Sequence, residues 1–269
     1  MTVASINMFR RAANGLLSLV LVVPAMAIPP LREAPNLTAS PANQLVVAGN
    51  ACGPTALLNA FRFGNSDWQR ASNAIAGATD KERISGLIRE IGMRPSNHIK
   101  GRPRWSRKGV NIADLCDMAN ETTRNQMLPP ISQEVLFIKP GESQEKLLLR
   151  VHQRLDVSLT KGLPPVLSLR RYTLRESQWI IVDAHFVTLV SMPRKLEKGV
   201  RSFPVTYIDP WGGKISTGSI AIPEQPVLSE LATASPCLEA AFPQSSVGKK
   251  LVRAGEQSML TLSAALGRW

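Results

Sequence analysis

Apolar residues recur at helical spacing in the first part of the chain. Intervals of three and four residues between apolar positions indicate one buried helix face. This pattern predicts helices over four segments: 52–63, 80–91, 112–120 and 143–155. Gly64 ends the first of these helices, and the capping-box pair Thr79 and Glu82 begins the second.

Continuous apolar and β-branched runs dominate the second part of the chain. They predict strands over five segments: 135–138, 165–171, 179–191, 204–208 and 214–222. Helices followed by strands predict an α+β fold, with an N-terminal helical subdomain, a mostly antiparallel β-sheet subdomain and a cleft between them. Residues 223–269 are predicted to form loops and short helices that pack on the sheet as a C-terminal extension.

The first 27 residues have the pattern of a secretory signal peptide. Arg10 and Arg11 precede an apolar core from Leu16 to Val23, and the small residues Ala25 and Ala27 form a cleavage motif. The apolar core is short for a membrane span, although an uncleaved anchor is the alternative. The pattern predicts cleavage after Ala27 and a secreted or periplasmic bacterial protein.

The mature chain is long enough for one domain with a full core. We expect a mobile Pro- and Ala-rich leader over residues 28–43, a catalytic domain over 44–222 and the extension over 223–269. We expect no transmembrane segment after signal cleavage.

The chain is basic, with 32 Lys and Arg residues against 20 Asp and Glu residues and a formal charge of +12. Part of the excess lies in one loop, from Arg94 to Lys108. Such a loop would attract an anionic surface, for example a cell-wall polymer or lipid headgroups. A solvated basic face without a specific ligand is the alternative. No nucleic-acid-binding motif accompanies the loop, so no specific nucleic acid is predicted.

Cys52 stands at the predicted first turn of an amphipathic helix. Pro54 suits that turn because its missing N–H would be unpaired there anyway. Free N–H groups and the positive end of the helix dipole favour the thiolate over the thiol. The pattern therefore indicates a cysteine nucleophile, and a small core cysteine is the alternative.

A thiolate needs a base, and the sequence offers one histidine in a suitable place. His185 begins the apolar run of a predicted strand, and Asp209 ends the next predicted strand. Cys52, His185 and Asp209 would then be nucleophile, base and orienting group. Asp183 competes with Asp209 because it lies two residues before His185 on the same strand face. The other histidines, His98 and His152, lack a partner motif and are expected to be non-catalytic.

These motifs, in this order, resemble the papain-like cysteine peptidases. Cys-Gly-Pro at residues 52–54, Gly-Leu-Pro-Pro at 162–165, His-Phe-Val at 185–187 and Ile-Asp-Pro-Trp at 208–211 carry the resemblance. It is strongest to the branch of double-glycine leader peptidases and their stand-alone secreted relatives, and it spans residues 44–222.

The resemblance implies a papain-like fold and a peptide or protein substrate, with the roles given above for Cys52, His185 and Asp209. It also implies that Gln44 donates to the oxyanion, with Asn50 as the alternative amide donor. No cofactor and no metal cluster are expected. Three cysteines leave one unpaired if the other two form a disulfide. Cys116 and Cys237 would be that pair, and two unpaired buried cysteines are the alternative.

The leading functional hypothesis is an exported cysteine peptidase that hydrolyses peptide or amide bonds through a thioester acyl-enzyme. An acyl or amide transferase could use the same triad, because an amine can replace water in the second step. The alternative from another class is a catalytically inactive module that binds an anionic cell-envelope polymer.

Overall fold

The computed structural model describes residues 30–229 and 235–269. The predicted signal peptide lies outside these residues. The structure has ten strands, here numbered in chain order: β1 (Leu31–Glu33), β2 (Trp105–Ser106), β3 (Gly109–Val110), β4 (Ser132–Val135), β5 (Val166–Arg175), β6 (Gln178–Pro193), β7 (Ser202–Asp209), β8 (Lys214–Ala221), β9 (Leu238–Ala241) and β10 (Ser258–Gly267).

Six of these strands close into an antiparallel β-barrel. Their order is β5, β6, β7, β8, β9 and β10, and β10 returns to β5. The pairing of β6 with β7 closes the ring. β1 pairs with the end of β6, and β4 pairs with the end of β10. β2 and β3 form a separate hairpin.

The described residues contain five α-helices outside the barrel. They are α1 (Cys52–Arg62), α2 (Ser66–Ala74), α3 (Asp80–Leu87), α4 (Ile112–Arg124) and α5 (Gln144–Thr160). The predicted capping box forms at α3, where Thr79 accepts from Glu82 N and the Glu82 carboxylate accepts from Thr79 N. A π-helical turn over Ile88–Gly92 continues α3. α4 and α5 each extend several residues beyond their predicted ends.

The expected papain-like α+β fold is wrong. The closed barrel dominates the molecule, and the helix that begins at Cys52 does not belong to a separate helical subdomain. Its buried side chains share one core with Val166, Phe186 and Leu266 of the barrel strands. The local sequence pattern finds strands but cannot distinguish an open sheet from a closed ring, because closure depends on pairing between distant segments.

The closing strands come from the segment that was predicted to be an extension. Residues 223–269 supply β9 and β10, and β10 lies between β5 and β9 in the ring. The expected boundary at residue 222 therefore does not divide the structure. This segment, expected to contain loops and short helices, has two barrel strands besides its loops and one 3-10 turn over Lys249–Leu251.

The described part of the predicted leader is also built into the fold. β1 pairs with β6, and Ala34 and Ala42 are buried. Ala42 N donates to Asn59 Oδ1 of α1 over 2.7 Å. Residues 30–43 therefore form an ordered layer rather than a mobile leader. Within the described residues, no helix combines the length and apolar character that a membrane span requires.

Candidate active site

Cys52 is the first residue of α1, and the packing around it holds the start of the helix in place. Thr188 Oγ1 of β6 donates to Ala56 O over 2.8 Å, which fixes the helix to the barrel. A side chain at Gly53 would overlap Val110 and crowd Phe186. The glycine after Cys52 therefore allows β3 and β6 to approach the helix terminus closely.

The start of α1 leaves backbone donors unpaired. No side chain caps the helix at Ala51, and the first helical hydrogen bond runs from Thr55 N to Ala51 O. Within the described chain, Cys52 N–H has no acceptor. The terminus therefore presents a free donor beside the thiol.

Adjacent strands of the barrel bring His185 and Asp209 together. β6 and β7 pair at Thr188 and Ile208, which places the end of β7 beside the His185 region of β6. His185 Nε2 and Asp209 Oδ1 are 2.8 Å apart. The same carboxylate oxygen accepts from Trp211 N over 2.9 Å, so the turn after β7 fixes its orientation.

The second nitrogen of His185 is available to the thiol. Burial by itself would lower the pKa of His185, but hydrogen bonds to Asp209 and Cys52 and the charges of both groups outweigh it and raise this pKa to about 10. The imidazole is therefore protonated at neutral pH. In this position an imidazolium is oriented by the Asp209 carboxylate and can stabilise a negative charge on sulfur.

Asp183 lines the cavity but makes no hydrogen bond to His185 in the described residues, and the other two histidines lie outside the cavity lining. The carboxylate of Asp183 accepts from Ala184 N and Gly248 N, at 2.9 and 2.7 Å. His152 contacts Pro193 O in the core, and burial lowers its pKa. His98 contacts Asp117 at an exposed position. Of the two candidate aspartates, the hydrogen bond to His185 is made by Asp209.

Gln44, the amide expected to donate to the oxyanion, is not among the residues that line the cavity at Cys52. Its side chain is fully buried and donates to Gly49 O, and its backbone N–H donates to Pro210 O over 2.9 Å. Gln44 thus links the segment before Cys52 to the turn after Asp209. Asn50, the alternative amide, lines the cavity at Cys52 and donates to Ser106 O over 3.1 Å.

A cavity of about 790 Å³ opens above the three residues. Cys52, His185 and Asp209 all line it, although each is less than 10 % exposed. A second cavity of about 620 Å³ shares Asp209, Trp211 and Ser246 with the first, so the cleft continues past Trp211.

Sequence reasoning missed part of the cavity lining. Lys249 and Lys250 line it from the connection between β9 and β10, and Trp211 stands between the two cavities. Nothing in the local sequence indicates that residues 246–251 lie beside Cys52, because only barrel closure brings them there. The Ile-Asp-Pro-Trp motif was the available signal for Trp211.

The other two cysteines are unlike Cys52. Burial, with a smaller contribution from the Asp117 charge, raises the pKa of Cys116 to about 11, and burial raises that of Cys237 to about 12. All three thiols are free. Cys116 Sγ lies within hydrogen-bonding distance of Ile131 O, so it packs against the segment before β4. The Cys116–Cys237 disulfide is not formed, and the alternative of two unpaired cysteines describes the structure.

The basic loop from Arg94 to Lys108 is partly neutralised. Arg94 and Arg104 both form ion pairs with Glu121, at 2.7 and 2.8 Å. That contact raises the pKa of the Arg104 guanidinium and lowers the pKa of the Glu121 carboxyl, in both cases against the effect of burial. The loop is therefore less cationic than its sequence suggests, and in the described residues its cations without an ion pair are Lys100, Arg102, Arg107 and Lys108.

One group in the described residues could geometrically hold a metal ion. Ligand atoms of His98, Asp114 and Asp117 lie within 4.8 Å of one another. The Asp114 carboxylate already accepts from Ser96 Oγ, at 2.7 and 2.9 Å, and from the Asn111 amide. These hydrogen bonds occupy the carboxylate oxygens. The Asp114 side chain therefore fixes the start of α4.

Comparisons with protein-family models, curated proteins and solved structures return no match to this chain. The resemblance to papain-like peptidases therefore stays a prediction about the site residues, and the closed barrel replaces the fold that it implied. The geometry of the cleft is what supports a functional proposal.

Proposed function

We propose that this protein is a cysteine peptidase that hydrolyses peptide or amide bonds through a thioester on Cys52. One observation supports the proposal above the others. His185 is hydrogen-bonded to Asp209 over 2.8 Å, and both residues line a cavity of about 790 Å³ together with Cys52. Covalent acyl transfer requires a nucleophile, a base that exchanges protons with it, and a group that orients the base.

In the first step the Cys52 thiolate attacks the carbonyl carbon of the scissile bond. The carbonyl oxygen becomes an oxyanion, and the free Cys52 N–H at the start of α1 is the backbone donor placed beside it. The His185 imidazolium then gives its proton to the leaving nitrogen, and the C–N bond breaks. The products are a free amine and a thioester on Cys52.

In the second step water releases the acyl group. Neutral His185 takes a proton from water, and the resulting hydroxide attacks the thioester carbonyl. When the C–S bond breaks, the carboxylic acid leaves and the thiolate and imidazolium return. Asp209 keeps the imidazole oriented throughout, because its hydrogen bond to Nε2 directs the other nitrogen to the sulfur.

Peptide hydrolysis by matched variants tests this proposal. Cys52→Ala and His185→Ala should each abolish cleavage of a peptide library followed by mass spectrometry. Cys116→Ala is the matched control, because this cysteine lies on α4 outside the cavity lining, and it should retain full activity.

Analysis of the reaction products distinguishes a peptidase from an acyl or amide transferase. Cleavage in water alone supports a peptidase, whereas products that form only with an added amine indicate the transferase. A Cys52 that resists iodoacetamide in the folded protein would instead indicate an inactive binding module.

A further inference from the structure

Four cationic side chains surround the opening of the Cys52 cavity. Arg107 and Lys108 form the tip between β2 and β3, and Lys249 and Lys250 lie in a short 3-10 turn before β10. All four are exposed, and none forms an ion pair with a carboxylate in residues 30–229 or 235–269. Only the Lys249 ammonium has a protein acceptor, Pro243 O at 2.8 Å.

The first pair of cations is attached to the segment that precedes the nucleophile. Trp105 Nε1 donates to Asn50 O, and Asn50 Nδ2 donates to Ser106 O, each over 3.1 Å. Asn50 lies two residues before Cys52. The β2–β3 hairpin is therefore held beside the start of α1, close to Cys52.

The second pair is attached to the segment that precedes the base. Asp183, two residues before His185, accepts from Gly248 N over 2.7 Å, and Arg171 Nε donates to Val247 O. Gly248 has a positive φ of 62°, and a side chain there would crowd Arg171 and Asp183. The turn that carries Lys249 and Lys250 is thus packed onto β5 and β6.

The carboxylates of the cavity do not neutralise these cations. The cavity lining contains two, Asp183 and Asp209. Asp183 accepts from backbone N–H groups, and Asp209 is hydrogen-bonded to His185 and Trp211 N. Four cations therefore face the cleft with their charge available to a ligand.

We propose that the cleft selects peptides that carry Asp or Glu on both sides of the scissile bond. This inference rests on the proposed peptidase function and specifies its substrate class. One cation pair is held by the segment before Cys52 and the other by the segment before His185, so acidic groups in both flanks of a bound peptide would meet a positive potential. The adjoining cavity past Trp211 contains Lys214, which extends the cationic surface along the cleft.

Two peptides of similar size and different charge test whether the cleft selects acidic substrates. Two peptides differ only in Glu or Gln at the positions that flank the cleaved bond, and kcat/KM is measured for both. The wild type should prefer the Glu peptide by on the order of tenfold or more at low salt, and the preference should shrink as salt rises. The double variants Arg107→Gln/Lys108→Gln and Lys249→Gln/Lys250→Gln should each lose part of that preference, which is measured within each variant as the ratio of kcat/KM for the Glu peptide to kcat/KM for the Gln peptide.

A matched control changes the same net charge away from the cleft. Lys195 and Lys198 are exposed and lie outside the cavity lining, in the connection between β6 and β7. Lys195→Gln/Lys198→Gln should keep the full preference for the Glu peptide. An equal loss in this control would attribute the effect to net charge and overturn the proposal, as would equal cleavage of the Glu and Gln peptides by the wild type.

The alkylation rate of Cys52 tests whether the four cations attract anions to the thiol, and this measurement does not require peptide hydrolysis. The ratio of the iodoacetate rate to the iodoacetamide rate should fall several-fold in each cleft variant relative to wild type, because only iodoacetate is anionic. A lowered ratio in a protein that cleaves no peptide would reject the peptidase function and retain anion selection at Cys52. A ratio that stays at the wild-type value in both cleft variants would overturn the proposed selection.

Discussion

Asp209 is the residue that most strongly sets the charge state of the site. Its carboxylate lies 2.8 Å from His185 Nε2 and is one of the contacts that raise the pKa of His185 to about 10 despite burial. The imidazolium is the proposed acid for the leaving amine. Activity should therefore persist up to the raised pKa and fall as the pH rises through about 10.

Asp209→Asn should shift this alkaline limb. The amide keeps an oxygen that can accept from His185 but removes the charge, so the pKa of His185 should fall and kcat/KM should decline from a lower pH. The rate itself should drop by on the order of 10²-fold or more, because the imidazole loses its orienting carboxylate. A pH profile of kcat/KM from pH 5 to 11 measures both effects.

Asp183→Asn is the control for that profile. Asp183 bonds to Ala184 N and Gly248 N rather than to His185, so its amide variant should keep the alkaline limb where the wild type has it. If Asp183→Asn moved the limb and Asp209→Asn did not, the third member of the proposed triad would be Asp183.

The sequence indicates the three central residues for a local reason. Cys52 lies at a helix start and Asp209 at a strand end before Pro and Gly, whereas His185 begins the apolar run of a strand that spans Gln178–Pro193. The remaining features depend on tertiary structure. Gln44 could not be placed from spacing alone, because its amide donates to Gly49 O instead of facing the cavity.

At the scale of elements, the position of α1 depends on the absence of a side chain at Gly53. A Cβ there would overlap Val110 Cγ1 and lie 3.4 Å from Phe186 and 3.5 Å from Leu115. Gly53→Ala should therefore displace the start of α1, lower stability by about 1–3 kcal/mol and reduce both Cys52 labelling and peptide cleavage. Thermal denaturation and alkylation rates measure the two effects.

Gly86→Ala is the matched substitution in another helix. Gly86 lies in α3, and the atom closest to its added Cβ would be Ala76 O at 3.6 Å, an ordinary contact. A helical alanine should raise stability by roughly 0.4–1 kcal/mol and leave activity unchanged. If Gly53→Ala changed stability and activity in the same way as Gly86→Ala, the effect of Gly53→Ala would come from helix propensity and not from the close contact at the start of α1.

Strand positions show which part of an element a local pattern can predict. The long apolar runs at β5 to β8 were found with errors of a few residues at their ends. The strand expected at 135–138 is instead β4, Ser132–Val135, which pairs with the end of β10. Pairing with β10 determines where β4 begins and ends, and the β4 sequence does not contain that information.

At the scale of the whole molecule, barrel closure connects distant segments and creates the cleft. The ring joins β5 to β10, whose sequences are separated by more than 80 residues, and the β9–β10 connection carries Lys249 and Lys250 to the cavity. A reading of the chain segment by segment predicts strands, helices and three catalytic candidates. It does not predict the ring or the basic rim, because both arise from long-range pairing.

Removal of residues 223–269 tests the architecture directly. A chain that ends at residue 222 loses β9 and β10, which are two of the six barrel strands, and leaves the pairing edges of β5 and β8 open. We expect this truncated protein to lose its cooperative thermal unfolding transition and its near-ultraviolet circular dichroism, and to aggregate through the unpaired edges. The chain from residue 28 to residue 269, measured under the same conditions, is the control. A soluble truncated protein that unfolds cooperatively and retains selective Cys52 labelling would show that residues 44–222 form an independent domain and that the last two strands are an appendage.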